Sequence, residues 1–519
     1  MRDKESSVKT GFVSLFLFSF LVCLLVSGGR LASSDELAVY LTTESLIERG
    51  ELAINPDLVK NGIYGRDGKF YYGVGIAEPV LSIPLYVGGK VIAGLLGLSE
   101  PARTLSIKAT VSTLNQIFAG LIAVMMFAFG VRLGYSRRVS LFLTLGLLFT
   151  TNLFPYFKSY MREPQLLFYL LAAIYYLHGY KLEDKRSSLV LAGVFCGIGL
   201  LTRLTSVITI PLCYFYFVSI VWGRGEHISR VRRLTSGSLS FGAPILVAIA
   251  VNMLYNYVQF ESITGTPYAE AEFTTPLWVG LYGLLFSSGK GLFLYAPLVA
   301  LGVVSLSRFG QLHRLEMYLF ISIVLVHLLF FAKFVAWAGD GSWGPRYLIS
   351  TLPFLVLPAG VLIREKVVVR RWALILSAIG LAIQVGGVSI YLGSYIREIG
   401  EYPYTKEFSD PEFLYKSHFV PNYSPIVGHW EMLVRNIPIN LSSEKPRFAI
   451  ADTERRIPLS EETQPNLRYT LDFWFMYGWY AGIRPTFLLV ALIVLATLTA
   501  FLGNKTLKAL SIISEMKIN

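Results

Sequence analysis

Residues 189–221 read LVLAGVFCGIGLLTRLTSVITIPLCYFYFVSIV, two apolar runs of 13 and 18 residues hinged on Thr202 and Arg203. Basic clusters flank the stretch on both sides, Lys181/Lys185/Arg186 before it and Arg224/Arg230/Arg232/Arg233 after it. An excess of Lys and Arg marks cytoplasmic loops, so an even number of membrane crossings must separate the two clusters. The stretch is therefore a hairpin. Its first arm, at 1.5 Å per residue, rises only about 20 Å, short of a hydrocarbon core about 30 Å thick. Thr202 and Arg203 are thus expected below the far membrane surface, in a protein-lined cavity.

The rest of the chain repeats this pattern. Of 519 residues, 54% are hydrophobic, 14% aromatic and only 15% charged, more apolar surface than one soluble core buries. A backbone in lipid must satisfy itself, and about 20 apolar residues in helix span the core. Read this way, the candidate spans are 11–28, 110–131, 139–157, 164–180, 189–201, 204–221, 237–257, 292–306, 317–334, 347–363, 372–391 and 485–502. The predicted fold class is an all-α polytopic membrane protein with about 12 transmembrane helices. The clusters Arg132/Arg137/Arg138, Arg308/Arg314 and Arg364/Lys366/Arg370/Arg371 join those already named on the side of the N-terminus, which puts both termini in the cytoplasm. The loops 29–79 and 393–484 carry more acids than bases and lie outside.

The net charge of +12 is spent on these clusters rather than on one basic face, so nucleic acid is not an expected partner. The run 11–28 follows Arg2, Lys4 and Lys9 and is longer than a signal-peptide core, so it reads as an uncleaved helix. The stretch 80–98, with Lys90 and several glycines, reads as an interfacial or re-entrant helix. Three domains follow: a membrane core over 1–392 that includes the outer loop 29–79, an extracytoplasmic region over 393–484, and a last helix with its tail over 485–519. Cys23, Cys196 and Cys213 all sit in apolar segments, which excludes a disulfide framework or a thiolate metal site. No GxxxxGK[ST], GxGxxG or HExxH motif is present, and His178, His227 and His313 lie at cytoplasmic helix ends.

Ionisable residues at the outer surface are the candidates for chemistry. Directly after the first span, SSDELAVY places Asp35 and Glu36 there. One role for the pair is an N-cap, with Ser34 or Asp35 opening a helix that runs to Leu46. The other is a general base beside an acceptor hydroxyl, where partial burial keeps a carboxylate basic. The second outer loop, KSYMREP, sets Lys158, Arg162 and Glu163 before a helix that starts at Pro164. Snorkelling cations and a helix-start acid fit this loop, as does a phosphate-facing set. An arginine at membrane depth, as at Arg203, costs about 3 kcal/mol or more unless it is paired or solvated. Such a residue lines a functional cavity or forms a structural pair. The loop WAGDGSWGPRY (337–347) is punctuated by glycines and a proline, and Trp337, Trp343 and Tyr347 suit an interfacial aromatic belt. Within it Arg346 offers a planar fork of donors for phosphate oxygens. Lys290, in FSSGKGLF, is placed to reach the same anion.

Taken together, these segments resemble the GT-C glycosyltransferases, especially relatives of protein O-mannosyltransferases and lipid A aminoarabinose transferases. The resemblance rests on Asp35-Glu36 followed by Tyr40, on YYGVGIAEPVLSIPLY, on Arg162-Glu163-Pro164, on the short hairpin with LLTR, and on WAGDGSWGPRY. It implies a GT-C-like bundle and an enzyme moving a sugar, commonly a hexose such as mannose, from a polyprenyl- or dolichyl-phosphate donor. The acceptor would be a glycan, lipid or protein on the extracytoplasmic face of the inner or plasma membrane, with transfer by inversion. Asp35 matches the family's base, with Glu36 beside it, and Glu163 matches its second acid. Lys158, Arg162, Arg203 and Arg346 are the candidates for the donor phosphate, and Asp340, Trp337 and Tyr72 for donor or acceptor sugar. Asp340 stands where many relatives have Gly. No metal is assigned, although Asp35, Glu36 and Glu163 are carboxylates of the kind a divalent cation takes and some GT-C enzymes use one. The rival readings are a lipid-linked-sugar flippase or transporter, in which two similar halves are expected, and an oligosaccharide polymerase or ligase with its key residues in a late loop.

Overall fold

Because lipid offers no partners to the backbone, apolar sequence of this length folds into helices. The computed structural model describes residues 2–59, 62–100, 102–224, 227–263, 272–339, 341–401, 415–442, 469–480 and 483–511. The chain opens with α1 (Arg2–Leu25) and α2 (Ser34–Glu48), a short antiparallel ribbon of β1 (Ile63–Tyr64) and β2 (Phe70–Tyr71), and α3 (Ala77–Leu95). Next come α4 (Ala102–Val111), α5 (Leu114–Arg132), α6 (Arg137–Phe149), α7 (Leu153–Lys158), α8 (Glu163–Glu183), α9 (Arg186–Thr202), α10 (Ile210–Trp222) and α11 (His227–Phe260). The second half holds α12 (Leu277–Phe286), α13 (Leu292–Tyr295), α14 (Leu298–Leu312), α15 (Arg314–Lys333), α16 (Leu352–Val356), α17 (Ala359–Glu365) and α18 (Val367–Ser389). Then follow α19 (Leu392–Glu398), α20 (Tyr415–Phe419), α21 (Pro425–Leu441), α22 (Trp474–Tyr480) and α23 (Pro485–Ser511).

Helix α8 is the centre of the bundle. It is buried on nearly every side, from Leu167 through Leu171 and Ile174 to Leu177, and packs on α5 and α9. Helix α9 in turn lies along α11. Their backbones approach at Gly193, where any side chain would collide with the Phe241 carbonyl. Helix α1 packs between α5 and α23. The outward faces of α11 and α23, with Leu246, Val247, Leu254, Leu489, Val490 and Phe501 exposed, are apolar in the manner of lipid contacts.

By length and composition, seven helical stretches among the described residues are able to cross a membrane: Ala102–Arg132, Leu204–Trp222, Arg230–Phe260, Arg314–Lys333, Arg346–Glu365, Val367–Ser389 and Pro485–Leu510. Lys9–Leu25, Arg186–Thr202, Leu277–Phe286 and Leu298–Leu312 are shorter apolar helices. The expected count of about twelve spans is therefore not confirmed among the described residues. The expected span 139–157 divides at Thr150–Asn152 into α6 and α7, where Thr150 and Thr151 turn their hydroxyls back on the carbonyls of Gly146 and Leu147. The expected span 164–180 belongs to α8, which is sheathed by protein and so tolerates Gln165 and His178. Helix α12, which packs on α15, was missing from the expected set because its 10 residues fall below the span threshold.

The hairpin arm α9 ends as its length implied. Its 17 residues stop at Arg203, whose backbone is extended at φ −155° and ψ 125°, before a 3-10 turn over Leu204–Thr209. Gly75, in the loop ahead of α3, lies against the carbonyls of Leu201 and Thr202, so the first long loop is clamped to the hairpin tip. Of the region 393–484, residues 402–414, 443–468 and 481–482 lie outside the described residues. The described part is carried by α21, which packs on α18 and α19.

Candidate active site

Helix α2 positions the first carboxylate. Ser33 is its N-cap and accepts from the Glu36 amide, while the Glu36 side chain accepts from the amides of Ala32 and Ser33. This is a reciprocal capping box. The other Glu36 oxygen takes the Tyr160 amide at 3.1 Å, and burial pushes its carboxyl above the usual range. Glu36, expected beside Asp35 in the chemistry, has both oxygens on backbone donors and lines neither cavity described below. Its neighbour Asp35, turned about 100° further round the helix, faces a cavity and accepts a hydrogen bond from the Tyr72 hydroxyl.

The start of α8 supplies the next groups. Glu163 and Pro164 open the helix, so Arg162 and Glu163 sit at its mouth. Oε1 of Glu163 lies 3.2 Å from Arg346 Nε and 3.4 Å from Arg203 Nη1. The Arg346 contact is an ion pair of close approach whose N–H is misaligned for a hydrogen bond. Both guanidiniums also lie over the Tyr347 ring, with Arg203 at 5.0 Å and Arg346 at 5.1 Å from its centroid. Arg346 opens the 3-10 turn Arg346–Thr351, and the chain reaches it through Gly339 and Gly344, both at positive φ where glycine alone is unstrained.

Two cavities meet at this cluster. The smaller, about 220 Å³, is lined by Asp35, Glu78, Tyr160, Arg162, Glu163 and Arg346. The larger shares Glu163 and Arg346 with it and adds Arg203 and Tyr347, then runs down between α8, α9 and α15 to His327. Three guanidiniums thus face the carboxyls of Asp35 and Glu163, an excess of cation suited to an anion. Burial alone would raise the Asp35 carboxyl. Against it, Arg162 first, then Arg346, the Tyr72 hydroxyl and Arg203 hold the group below the usual carboxylate range.

Glu78, at the start of α3, was quoted within a motif but given no role, and the structure sets it in the same chamber. It is 2% exposed, accepts from Gln165 Nε2 at 2.6 Å and lies 4.0 Å from Arg162 Nε. Burial, only partly offset by Arg162 and Gln165, pushes its carboxyl up to about 8. The available signal was its position as an acid leading an apolar run. His327 had a weaker one, a lone histidine inside an apolar helix.

Three candidates lie elsewhere. Lys158, expected at the donor phosphate, lines neither cavity and has its ammonium on the Val388 carbonyl at 2.7 Å and on Asp472, whose carboxylate is 2.7 Å away. Arg30 completes that buried cluster, 2.9 Å from the same carboxylate. Lys290 is buried rather than exposed and holds the Ser342 carbonyl, pinning the 337–347 loop from behind. Trp337 lines neither cavity and packs against His418 and Phe419, at 5.5 Å to each ring. Asp340 lies outside the described residues. Among the described residues no group of three or more His, Cys, Asp or Glu is placed to hold a metal ion.

This fold, a helical bundle with several helices apolar enough to cross a membrane, is shared with a solved membrane-protein structure. The crystal structure of ArnT from Cupriavidus metallidurans in the apo state is similar at TM-score 0.50 and 14% identity, over 95% of this chain and 76% of that one. The structure of ArnT from the same organism bound to undecaprenyl phosphate gives 0.46 and 16%, over 96% and 77%. Residues 108–264, a stretch that runs from within α4 to just past α11, match the model of the family described as dolichyl-phosphate-mannose-protein mannosyltransferase, PMT. No curated protein matches the chain by sequence.

Proposed function

We propose that this chain is a GT-C glycosyltransferase that moves a hexose such as mannose from a polyprenyl- or dolichyl-phosphate donor to a hydroxyl of a glycan, lipid or protein. The reaction takes place on the extracytoplasmic face of the inner or plasma membrane, and both termini are cytoplasmic. The observation that carries this reading is the convergence of Arg162, Arg203 and Arg346 on the carboxyls of Asp35 and Glu163, in a chain with a PMT-family segment.

The donor phosphate sits at Arg203 and Arg346, whose hold on Glu163 it partly replaces. Asp35 takes the proton of the acceptor hydroxyl, and the acceptor oxygen attacks the anomeric carbon from the face opposite the phosphate. The bond from that carbon to the phosphate oxygen breaks, and the electron pair stays on the lipid phosphate. Its gained negative charge faces the guanidiniums, and fixed charges that meet developing charge are the largest source of catalysis in such sites. An isolated carboxylate held acidic by three arginines is a weak base. A phosphate that draws on those same arginines withdraws this support and raises the proton affinity of Asp35 when donor is present. Glu78 keeps its proton near neutral pH and leaves the cationic balance intact.

Reconstituted vesicles supplied with polyprenyl-phosphate-mannose test this. The wild type should release polyprenyl phosphate and form a new glycoside with inverted configuration, and Asp35→Asn should lower turnover about 10²–10⁴-fold, the usual contribution of a general base. Donor that crosses the bilayer unconsumed would identify a flippase and end the enzymatic reading.

A further inference from the structure

His327 stands in the middle of α15, 6% exposed, on the wall of the larger cavity. Its Nδ1 is 2.9 Å from the carbonyl oxygen of Ile323, one helical turn earlier. A carbonyl only accepts, so Nδ1 carries a proton, and in the neutral ring Nε2 is an acceptor. That nitrogen has no hydrogen-bond partner among the described residues. A histidine in an apolar helix usually serves packing, with both nitrogens satisfied. This one is tied at one nitrogen, which fixes the tautomer, and its other nitrogen is left to the cavity that the residue lines.

The same cavity wall carries hydroxyls from both 3-10 turns, Thr205, Ser206 and Thr209 from one and Ser350 from the other. Its upper rim is Glu163 with Arg203 and Arg346. Below that rim the wall mixes these hydroxyls and that of Tyr169 with the apolar side chains of Leu166, Leu170, Phe195 and Phe331, and it includes the acceptor Nε2 of His327. A group that fits it is compact, rich in hydroxyl donors and attached to an anion. An isoprenoid chain offers Nε2 no proton, and a phosphate would leave the arginines above unused.

We propose that this cavity holds the sugar ring of the lipid-phosphate donor, and that His327 Nε2 accepts a hydrogen bond from one sugar hydroxyl and so sets which sugar is used. The inference rests on the transferase reading above and adds to it a location and a specificity-determining residue. Because Glu163 and Arg346 line both cavities, a sugar in the larger one has its phosphate-bearing carbon at the shared wall, within reach of an acceptor bound beside Asp35.

The test uses the full-length protein in vesicles, polyprenyl-phosphate-mannose, and the set of donors in which each sugar hydroxyl in turn is replaced by hydrogen. His327→Leu should lower kcat/KM for the complete donor about 10- to 100-fold, the scale on which a pocket discriminates a single group. One deoxy donor should show the same loss on the wild type and no further loss on the variant, and His327→Gln, which keeps an acceptor, should recover part of the rate. Equal loss on every donor, or no loss, would overturn the assignment. A second readout does not need turnover: thermal stabilisation of the purified protein by polyprenyl-phosphate-mannose over bare polyprenyl phosphate. This difference should vanish in His327→Leu, while bare polyprenyl phosphate still stabilises the variant. If the wild type turns over no donor, the transferase reading fails, and the stabilisation difference alone still decides for or against His327.

Discussion

Arg346 Nε lies 3.2 Å from Oε1 of Glu163, the same oxygen that Arg203 Nη1 reaches at 3.4 Å. One carboxylate oxygen thus sets two guanidiniums that come from opposite halves of the chain. Residues that share a partner are not independent. Glu163→Ala and Arg203→Ala, each about 10²-fold or more down in donor kcat/KM, should combine to much less than the product of their effects, a coupling of about 0.5–3 kcal/mol. A double-mutant cycle on initial rates measures this, and strictly additive losses would show that Glu163 does not organise the arginines.

The arginines also govern the proton affinity of Asp35. Its carboxyl lies below the usual range because cations favour the ionised form, with Arg162 the largest of them. The acid limb of kcat/KM for donor, which reports the free enzyme, should therefore fall below the ordinary carboxylate value. Arg162→Ala removes a charge that favours the anion, so the limb should move to higher pH. A pH–rate profile on the two proteins decides it, and an unmoved limb would mean that some other group titrates.

How much of this was legible beforehand depended on distance along the chain. The hairpin and its short arm could be read because hydropathy and charge are local properties, and Arg203 stood out because arginine is costly at membrane depth. An N-cap was expected at Ser34 or Asp35 and falls one residue earlier, on Ser33, with Glu36 closing the box, while the Asp35–Tyr72 contact, 37 positions apart, had no signal of its own. The surroundings of Lys158 were not legible, for the opposite reason. A lysine in an outer loop looks free until Asp472, more than 300 residues later, folds onto it, and no period or motif links the two. Glu78 and His327 were overlooked because a single polar residue at an apolar helix carries no pattern, and its meaning comes from the cavity around it.

The Lys158–Asp472–Arg30 cluster makes its own prediction. Asp472 is 5% exposed, and its carboxylate is held strongly acidic by Lys158 and Arg30 against the effect of burial. It joins the loop after α1, the end of α7 and the segment ahead of α22, with the Asp472 amide on Ser389 and the Trp474 amide on Ser27. Removing one partner of a buried ion cluster costs about 3–5 kcal/mol because the remaining charges are left unpaired. Asp472→Ala should accordingly lower the detergent-solubilised melting temperature far more than a surface change does. Lys158→Met, which trades the ammonium for an apolar tip, should leave donor KM unchanged in whatever protein folds. A raised donor KM in that variant would return Lys158 to the phosphate site.

Glu78 provides the last test, and its sign follows from its raised carboxyl. In the folded chain the group binds its proton up to about 8, whereas an unfolded glutamate releases it near 4.3. Between those values the native state holds more protons than the unfolded state, so this residue makes folding less favourable as pH rises, and the effect is absent below the lower value. Glu78→Gln keeps the shape and needs no proton. Its amide nitrogen can turn away from Arg162, with the oxygen accepting from Gln165 as the carboxyl does now. The variant should match the wild type in melting temperature near pH 4 and exceed it by a margin that grows steadily to pH 8. A constant difference across that range would show that Glu78 is ionised in the folded protein, and the chamber beside Asp35 would then hold three anions against its three arginines, with no excess positive charge left to hold a phosphate.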